Sequence, residues 1–386
     1  MSERNHRRLF RLTLLLLGVL CGLAVGELLL RVVQPTDLVY RFPTYVPVDT
    51  TRPLPNPTND PLLGPALTRT AQQQCYELAP NLDGRLRSSE FDVAFSTNEL
   101  GMRNPPPGPK RGVRVLGLGN SFAMGFGVEE DETLFHTFAR AWGRMDVEVL
   151  NGGVMGYTAH NSLAWLESKG LALAPDVAIL QVWFPNGLLQ DPQPKCLAPK
   201  TPPTARETLR RLALKSDLVS LGMNLLRRVD FIRRILLDKK ILGRYEVEYL
   251  FRDDLTQTHA AAVSAAGTLL TRFKELADAH GFLPVVFVTP MREQLDPEQW
   301  RRIVKYNFMD APPGQMQMDR PDRLLEKLAG DAGVAFVDPY IQDETWCRDE
   351  ACYFTGYDVH LTPLGHERAG RFLYRQIAPL LEKSFE

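Results

Sequence analysis

The sequence predicts a three-layer α/β/α domain built on a doubly wound parallel sheet, and three features predict it. Short apolar runs without strict alternation recur along residues 113–337, the pattern of strands buried on both faces. Helical stretches separate them, so consecutive strands are joined by crossovers and run parallel. The runs also end in polar or glycine-rich turns, which in open α/β sheets gather at one edge.

Taken in order, the strands are expected at Val113 to Leu118, Val147 to Leu150, Val177 to Trp183, Val285 to Thr289 and Val334 to Val337. The helices between them are expected at Glu132 to Trp142, Asn161 to Leu171, Ala261 to His280 and Arg323 to Ala329. A last helix opens with Thr362 as its cap and Pro363 at its first position, where the missing N–H costs nothing. Residues 192–254 break the alternation. They read as a helical insertion in which Leu209, Leu212, Leu225, Val229 and Ile232 are interleaved with Arg210, Arg211, Arg227, Arg228, Arg233 and Arg234. A packed hairpin with a solvated charged face accounts for that pattern. A cap beside the site, or a basic face on anionic lipid, is the functional alternative.

The amino-terminal part has a different composition. Arg4, His6, Arg7, Arg8 and Arg11 precede an apolar stretch from Leu12 to Val33 that only Glu27 and Arg31 interrupt. Its length approaches the roughly 20 residues that cross a bilayer. The basic flank keeps that end in the cytoplasm and exports the rest. Ala24-Val25-Gly26 could serve a signal peptidase, but Leu28-Leu29-Leu30 resumes the apolar run and favours an uncleaved anchor. A buried helix of a cytosolic protein is the remaining reading, and Leu20 before Cys21 argues against a lipoprotein. Domains are therefore expected at 1–35 (basic end and anchor), 36–95 (proline-rich tether and lead-in) and 96–386 (the α/β body). A net charge of -1 argues against nucleic acid as partner. Outside the anchor lie Cys75, Cys196, Cys347 and Cys352; Cys347 with Cys352 would close a small loop and leave Cys75 with Cys196, although four unpaired cysteines would look the same.

Chemistry is suggested by four turns that follow strands. These are Gly119-Asn120-Ser121-Phe122, then Asn151 to Thr158 with three glycines, then Trp183-Phe184-Pro185-Asn186, and finally Asp358-Val359-His360 before the last helix. Serine, histidine and aspartate are the parts of nucleophilic acyl transfer. A dinucleotide loop is disfavoured because the glycine frame places Phe122 at its last position.

In order and spacing the four blocks resemble those of the SGNH (GDSL-type) hydrolase superfamily. Ser96-Thr97-Asn98-Glu99-Leu100-Gly101-Met102-Arg103 also resembles the lead-in of its membrane-anchored bacterial members, which are linked to exopolysaccharide and envelope modification. The resemblance implies a flavodoxin-like sheet, Ser121 as nucleophile, His360 as general base and Asp358 as its orienting carboxylate. It implies an oxyanion hole made by the Ser121 and Gly156 N–H groups and the Asn186 amide, and no cofactor. The reaction it implies is hydrolysis of O-acyl, above all O-acetyl, esters on a carbohydrate or envelope glycan. The enzyme would be single-pass in the bacterial inner membrane, with its catalytic domain periplasmic. An O-acyltransferase and a catalytically weak glycan-binding protein are the alternatives. A lipid esterase using the basic insertion at the membrane is a third.

Three departures from the family pattern stand out. Asn120 replaces the usual aspartate, Gly187 follows Asn186 where aspartate is common, and the carboxylate lies two residues before His360 with Tyr357 at the third. His366 reads as structural and His160 as a loop residue that could line the site. Asp338 reads as a strand end and Asp191 as a loop residue. Tyr157, Trp183 and Phe184 read as core, with a sugar-binding cleft as the alternative.

Overall fold

The computed structural model describes residues 3–33, 43–49, 67–186, 188–189, 196, 216–229, 231–232, 234–235, 248–298, 300–301, 316–343, 345–348, 351–354 and 358–385. Contacts divide the chain into two units. One comprises residues 1–43, 88–90 and 200–243; the other comprises 44–87, 91–199 and 244–386.

In the first unit, α1 (Glu3–Val33) contains an apolar span, Phe10–Val33, of 24 residues with mean hydropathy 2.3 and none of its side chains buried. That is long enough to cross a bilayer.

The second unit begins with β1 (Thr44–Pro47), β2 (Thr68–Thr70), β3 (Tyr76–Leu78), β4 (Asp83–Arg87) and β5 (Asp92–Ser96). β1, β4 and β5 form a small antiparallel sheet, and β2 pairs with β3. The composition of 36–95 had suggested a tether. Its later part instead alternates: β4 and β5 bury Gly84, Leu86, Val93 and Phe95 and expose the residues between, as half-buried strands do.

The main sheet then follows the expected order. β6 (Val113–Leu118) leads into the short helix α2 (Ser121–Met124) and then α3 (Leu134–Trp142); β7 (Val147–Asn151) leads into α4 (Ala159–Trp165); β8 (Val177–Val182) precedes α5 (Asp217–Arg228) of the first unit. α6 (Ala260–His280), β9 (Leu283–Val288), α7 (Arg320–Ala332), β10 (Ala335–Val337) and α8 (Pro363–Phe385) complete the fold. The strand order is β10-β9-β8-β6-β7, all parallel. This is the doubly wound arrangement, and it reverses direction between β6 and β8, where ligands of such sheets bind. β6 and β8 are buried at every residue.

Alternate residues of the strands feed two cores. Leu116, Leu118, Leu180, Val182 and Val286 pack with Leu163 and Trp165 of α4, Leu269 and Phe273 of α6, and Leu325 of α7. Val115, Val177, Ile179, Val285 and Phe287 pack with Phe135 and Phe138 of α3 and Phe372, Leu373 and Ile377 of α8. The sheet is thus covered on both faces and the three layers are present.

Element ends differ from the expected ones for local reasons. The helix expected from Glu132 starts at Leu134, because Glu129 and Glu132 form a reciprocal capping box around a separate 3-10 turn. The helix expected to run to Leu171 leaves α geometry at Leu166 and passes through a π turn, Leu166–Gly170, where Gly170 backs against Leu116 of β6. β8 stops before Trp183, whose carbonyl accepts from the Asn186 N–H in the next turn. Among the described residues, Cys75 is bonded to Cys196 and Cys347 to Cys352, while Cys21 is free and exposed.

His366, read as structural, is fully buried in α8. It accepts from the Leu134 N–H through Nδ1, and its carbonyl accepts from Thr137 Oγ1. Burial holds its pKa down from 6.5 to about 3. The unfolded chain takes up a proton near 6.5 that the folded chain refuses, so stability is complete above that pH and drains as pH falls toward 3. His366→Asn keeps an acceptor near Nδ1 but cannot titrate. Its melting temperature is expected to change less than that of the parent between pH 7 and pH 5; equal slopes in thermal melts would contradict this.

Candidate active site

The nucleophile turn begins where β6 ends. Gly119 has φ of +144°, and a Cβ there would lie 2.7 Å from the Gln181 carbonyl oxygen and 2.9 Å from the Ala123 Cβ. Only glycine fits so tight a reversal. Asn120 then caps α2, its Oδ1 accepting from the Phe122 N–H at 2.9 Å. This is the capping bond an aspartate would make, so the amide substitutes for it without a charge. Ser121 sits at the first position of α2, where a backbone N–H has no acceptor within the helix.

The second loop runs beneath α2. A Cβ on Gly153 would lie 2.3 Å from the Met124 nitrogen, which fixes that position as glycine. Asn151, wholly buried, ties the two loops together: its Nδ2 donates to the Ala123 carbonyl at 3.0 Å and its Oδ1 accepts from the Gly153 N–H. The loop then brings Gly156, with φ of +76°, to the same edge. Asn186, on the 3-10 turn Phe184–Asn186 after β8, donates from Nδ2 to the Tyr157 carbonyl at 3.3 Å. That bond uses one of the two amide hydrogens and orients the other.

The last block closes the site. His360 Nε2 lies 2.7 Å from Ser121 Oγ, and His360 Nδ1 lies 2.6 Å from Asp358 Oδ1. The same carboxylate oxygen accepts from the His360 backbone N–H at 2.9 Å, so the two-residue spacing holds the imidazole from its own backbone. The Phe354 N–H donates to the His360 carbonyl at 3.1 Å. Phe122 and Phe126 pack on the imidazole with ring centroids 4.8 and 4.6 Å away. Asp358 retains 3% side-chain exposure and His360 retains 15%. The carboxylate is therefore dry while the imidazole reaches the surface, an arrangement that suits proton exchange with a bound molecule.

The structure thus brings Ser121, His360 and Asp358 into one hydrogen-bonded chain and Gly156 and Asn186 to the loops beside it. Tyr157 and Phe184 are core, and the Tyr157 hydroxyl donates to the Tyr76 carbonyl; Trp183 is half-buried and its ring lies 5.1 Å from that of Phe122. His160 lies in the first turn of α4 and is half-buried, not in a loop. Asp338 caps the helical turn after β10 through Oδ1 and the Tyr340 N–H. Gly187, Asp191, Tyr357 and much of the insertion lie outside the described residues.

Three supporting residues escaped the sequence reading. Arg103 is fully buried and donates to the carbonyls of Met124, Gly125, Val128 and Ala94, with its guanidinium 5.0 Å above the Phe95 ring. Gln181 accepts from the Asn120 N–H through Oε1 and donates to Thr289 Oγ1. Asn104 Oδ1 accepts from the Asn151 N–H. Gln181 could have been found as the lone polar residue of an otherwise apolar strand.

No protein-family model matches the chain, and no curated protein matches it. Solved structures do. A psychrotrophic esterase from a Pseudoalteromonas species is similar at 11% identity, over 70% of this chain and 98% of its own, with a TM-score of 0.36. A lipase/acylhydrolase from Enterococcus faecalis is similar at 13% identity, over 69% and 96%, with a TM-score of 0.35. An acetyl-xylooligosaccharide esterase from Geobacillus is similar at 13% identity, over 70% and 96%, with a TM-score of 0.38. Likeness at this level concerns the fold, and the reaction is argued from the side chains at the sheet edge.

Proposed function

We propose that the chain is a membrane-anchored serine ester hydrolase of SGNH type. The observation that carries this reading is the unbroken chain from Ser121 Oγ through His360 to Asp358. In this reading Ser121 Oγ attacks the ester carbonyl carbon while its proton passes to His360 Nε2. Asp358 holds the Nδ1–H tautomer and stabilises the imidazolium. The oxyanion is met by the Ser121 N–H, the Gly156 N–H and the Asn186 Nδ2–H. Collapse expels the alcohol, which takes the proton back from His360, and leaves an acyl-Ser121 ester. Water, deprotonated by His360, then attacks that ester; the Ser121–acyl bond breaks, Ser121 Oγ takes the proton back from His360, and the acid is released. Serine, imidazole and amide donors supply every group these steps need.

The substrate class we propose is an O-acetylated glycan of the cell envelope, handled on the exported side of the membrane that α1 crosses. The apolar span of α1, the basic residues before it and the two disulfides support that location. Trp183, half-buried against Phe122 beside the nucleophile, offers a ring face to a sugar. Full-length protein in detergent is expected to be labelled stoichiometrically at Ser121 by a fluorophosphonate and to hydrolyse acetyl esters faster than octanoyl esters. No labelling of the folded protein would sink the enzymatic reading. A preference for long acyl chains would sink the acetyl-glycan part alone.

Asn186 allows a narrower test. Asn186→Ala removes one oxyanion donor and is expected to lower kcat about 10²–10³-fold with KM little changed. An unchanged kcat would exclude it from the oxyanion hole.

A further inference from the structure

Glu27 is chemically out of place. It lies within the apolar span of α1, Phe10–Val33, six residues before its end, or about 9 Å along the axis. A carboxylate at membrane depth is costly unless its oxygens are satisfied. The partners of Glu27 come from the insertion, in the same structural unit. Ser216 Oγ donates to Oε2 at 2.8 Å, the Asp217 N–H to Oε1 at 3.0 Å and the Leu218 N–H to Oε2 at 3.0 Å. Arg31 adds a bond one turn further along α1. Glu27 therefore caps the amino terminus of α5. The Leu218 side chain packs against α1 at Gly26, where even a Cβ would sit in ordinary contact at 3.5 Å.

Several apolar side chains of that segment are exposed. Leu225 is 49% exposed, Val229 48% and Phe231 73%, and Leu226 and Ile235 are also exposed. Such a surface is unfavourable in water. It is fixed to a helix in which none of the apolar span Phe10–Val33 is buried. One solvent satisfies both surfaces. α5 has 12 residues, about 18 Å, and cannot cross the roughly 30 Å of hydrocarbon. Arg234, exposed beyond its end, suits anionic headgroups.

We propose that α5, with Val229, Phe231 and Ile235 beyond it, lies in the outer leaflet of the bilayer that α1 crosses, with Leu225, Val229 and Phe231 among the acyl chains and Glu27 as the buried receptor for the helix amino terminus. The insertion is then a second membrane contact of the chain, seated on its anchor. The proposal rests on reading α1 as a membrane anchor and is independent of the chemistry at Ser121.

The test uses the full chain with Cys21→Ser, reconstituted in vesicles of phosphatidylcholine and phosphatidylglycerol. Single cysteines at Leu225→Cys, Val19→Cys and Met145→Cys carry an environment-sensitive fluorophore. Val19 reports the anchor and the fully exposed Met145 reports water. Leu225 is expected to be quenched by aqueous iodide several-fold less than Met145. It is also expected to be quenched by lipids bearing a nitroxide near the headgroup, whereas Val19 responds best to a deep nitroxide. Glu27→Leu is expected to return Leu225 to iodide while Val19 stays protected. If Leu225 is as open to iodide as Met145 while Val19 is protected, the proposal is wrong although the anchor stands. Protection of Leu225 from iodide and nitroxide lipids alike would mean a protein surface, such as a second copy, covers it. Unchanged protection in Glu27→Leu would remove Glu27 as the receptor. Iodide reaching Val19 would overturn the anchor and the proposal together.

Discussion

Ser121→Ala is expected to abolish fluorophosphonate labelling and to reduce ester turnover to the level given by binding and the oxyanion donors alone. The hydroxyl lies 2.7 Å from His360 Nε2, to which it passes its proton in the proposed mechanism, and alanine leaves no nucleophile there. The decisive companion is Asp358→Asn. Asp358 Oδ1 accepts both from the His360 backbone N–H and from the ring Nδ1–H. An asparagine can turn its amide toward the ring and favour the other tautomer, which protonates Nε2 and disables it as a base. The expected fall in kcat is about 10⁴-fold. Steady-state hydrolysis of a small acetyl ester measures both variants. A Ser121→Ala protein as active as the parent would refute the assignment of the nucleophile. An Asp358→Asn protein within ten-fold of the parent would remove Asp358 from the triad.

Arg103→Met is expected to cost about 3 kcal/mol of stability or more, because each buried carbonyl left without its donor costs about 1–3 kcal/mol. The guanidinium joins four backbone carbonyls from two places in the chain: Ala94 in β5, and Met124, Gly125 and Val128 at the end of α2 and beyond. Methionine fills part of the volume and strands the carbonyls without donors. Burial lowers the Arg103 pKa to about 10, and Glu129, Glu130 and Glu132 offset part of that cost, so the group remains charged at neutral pH. Arg103→Lys separates folding from positioning, because lysine keeps the charge but lacks the planar fork. It is expected to fold with a lower melting temperature. Its kcat is expected to fall by up to about 10²-fold, the penalty for an ångström-scale misplacement of a reacting group. KM for a small acetyl ester should stay near that of the parent. Thermal melts and kinetics on the same preparation check this, and parental stability in Arg103→Met would show that the network does not hold the turn.

The parts of this molecule legible in its sequence are those written in local pattern. β6 and β8 announce themselves as apolar runs because they are buried on both faces, and Gly119 and Ser121 stand out against them. Asp358 and His360 were legible because they share a short block just before a capped helix. The residues that hold these groups in place were not, since their partners are remote: Asn151 bonds Ala123, Gln181 bonds the Asn120 turn, and Arg103 reaches four carbonyls. Nothing in the composition around Arg103 distinguishes a buried cation from a surface one. The small strands β2 to β5 were missed because each has only three to five residues and prolines crowd the region before them. Glu27 looked like a blemish in an apolar helix until Ser216, Asp217 and Leu218 were found on it.

The Cys75–Cys196 bond joins residues 121 apart and makes most of the catalytic half of the body a covalent ring. Ser121, Gly156 and Asn186 lie on that ring, and Asp358 and His360 lie off it. By chain entropy alone, closing so long a loop disfavours the unfolded ensemble by about 5 kcal/mol. The bond therefore restricts the wandering of Ser121, Gly156 and Asn186 even in an unfolded chain. It does nothing to bring in His360, which lies 239 residues from Ser121 in sequence. Where that bond is formed, the segment that carries Ser121 stays gathered in the unfolded chain, and completing the hydrogen-bonded chain at Ser121 waits on the docking of Asp358 and His360 from outside the ring.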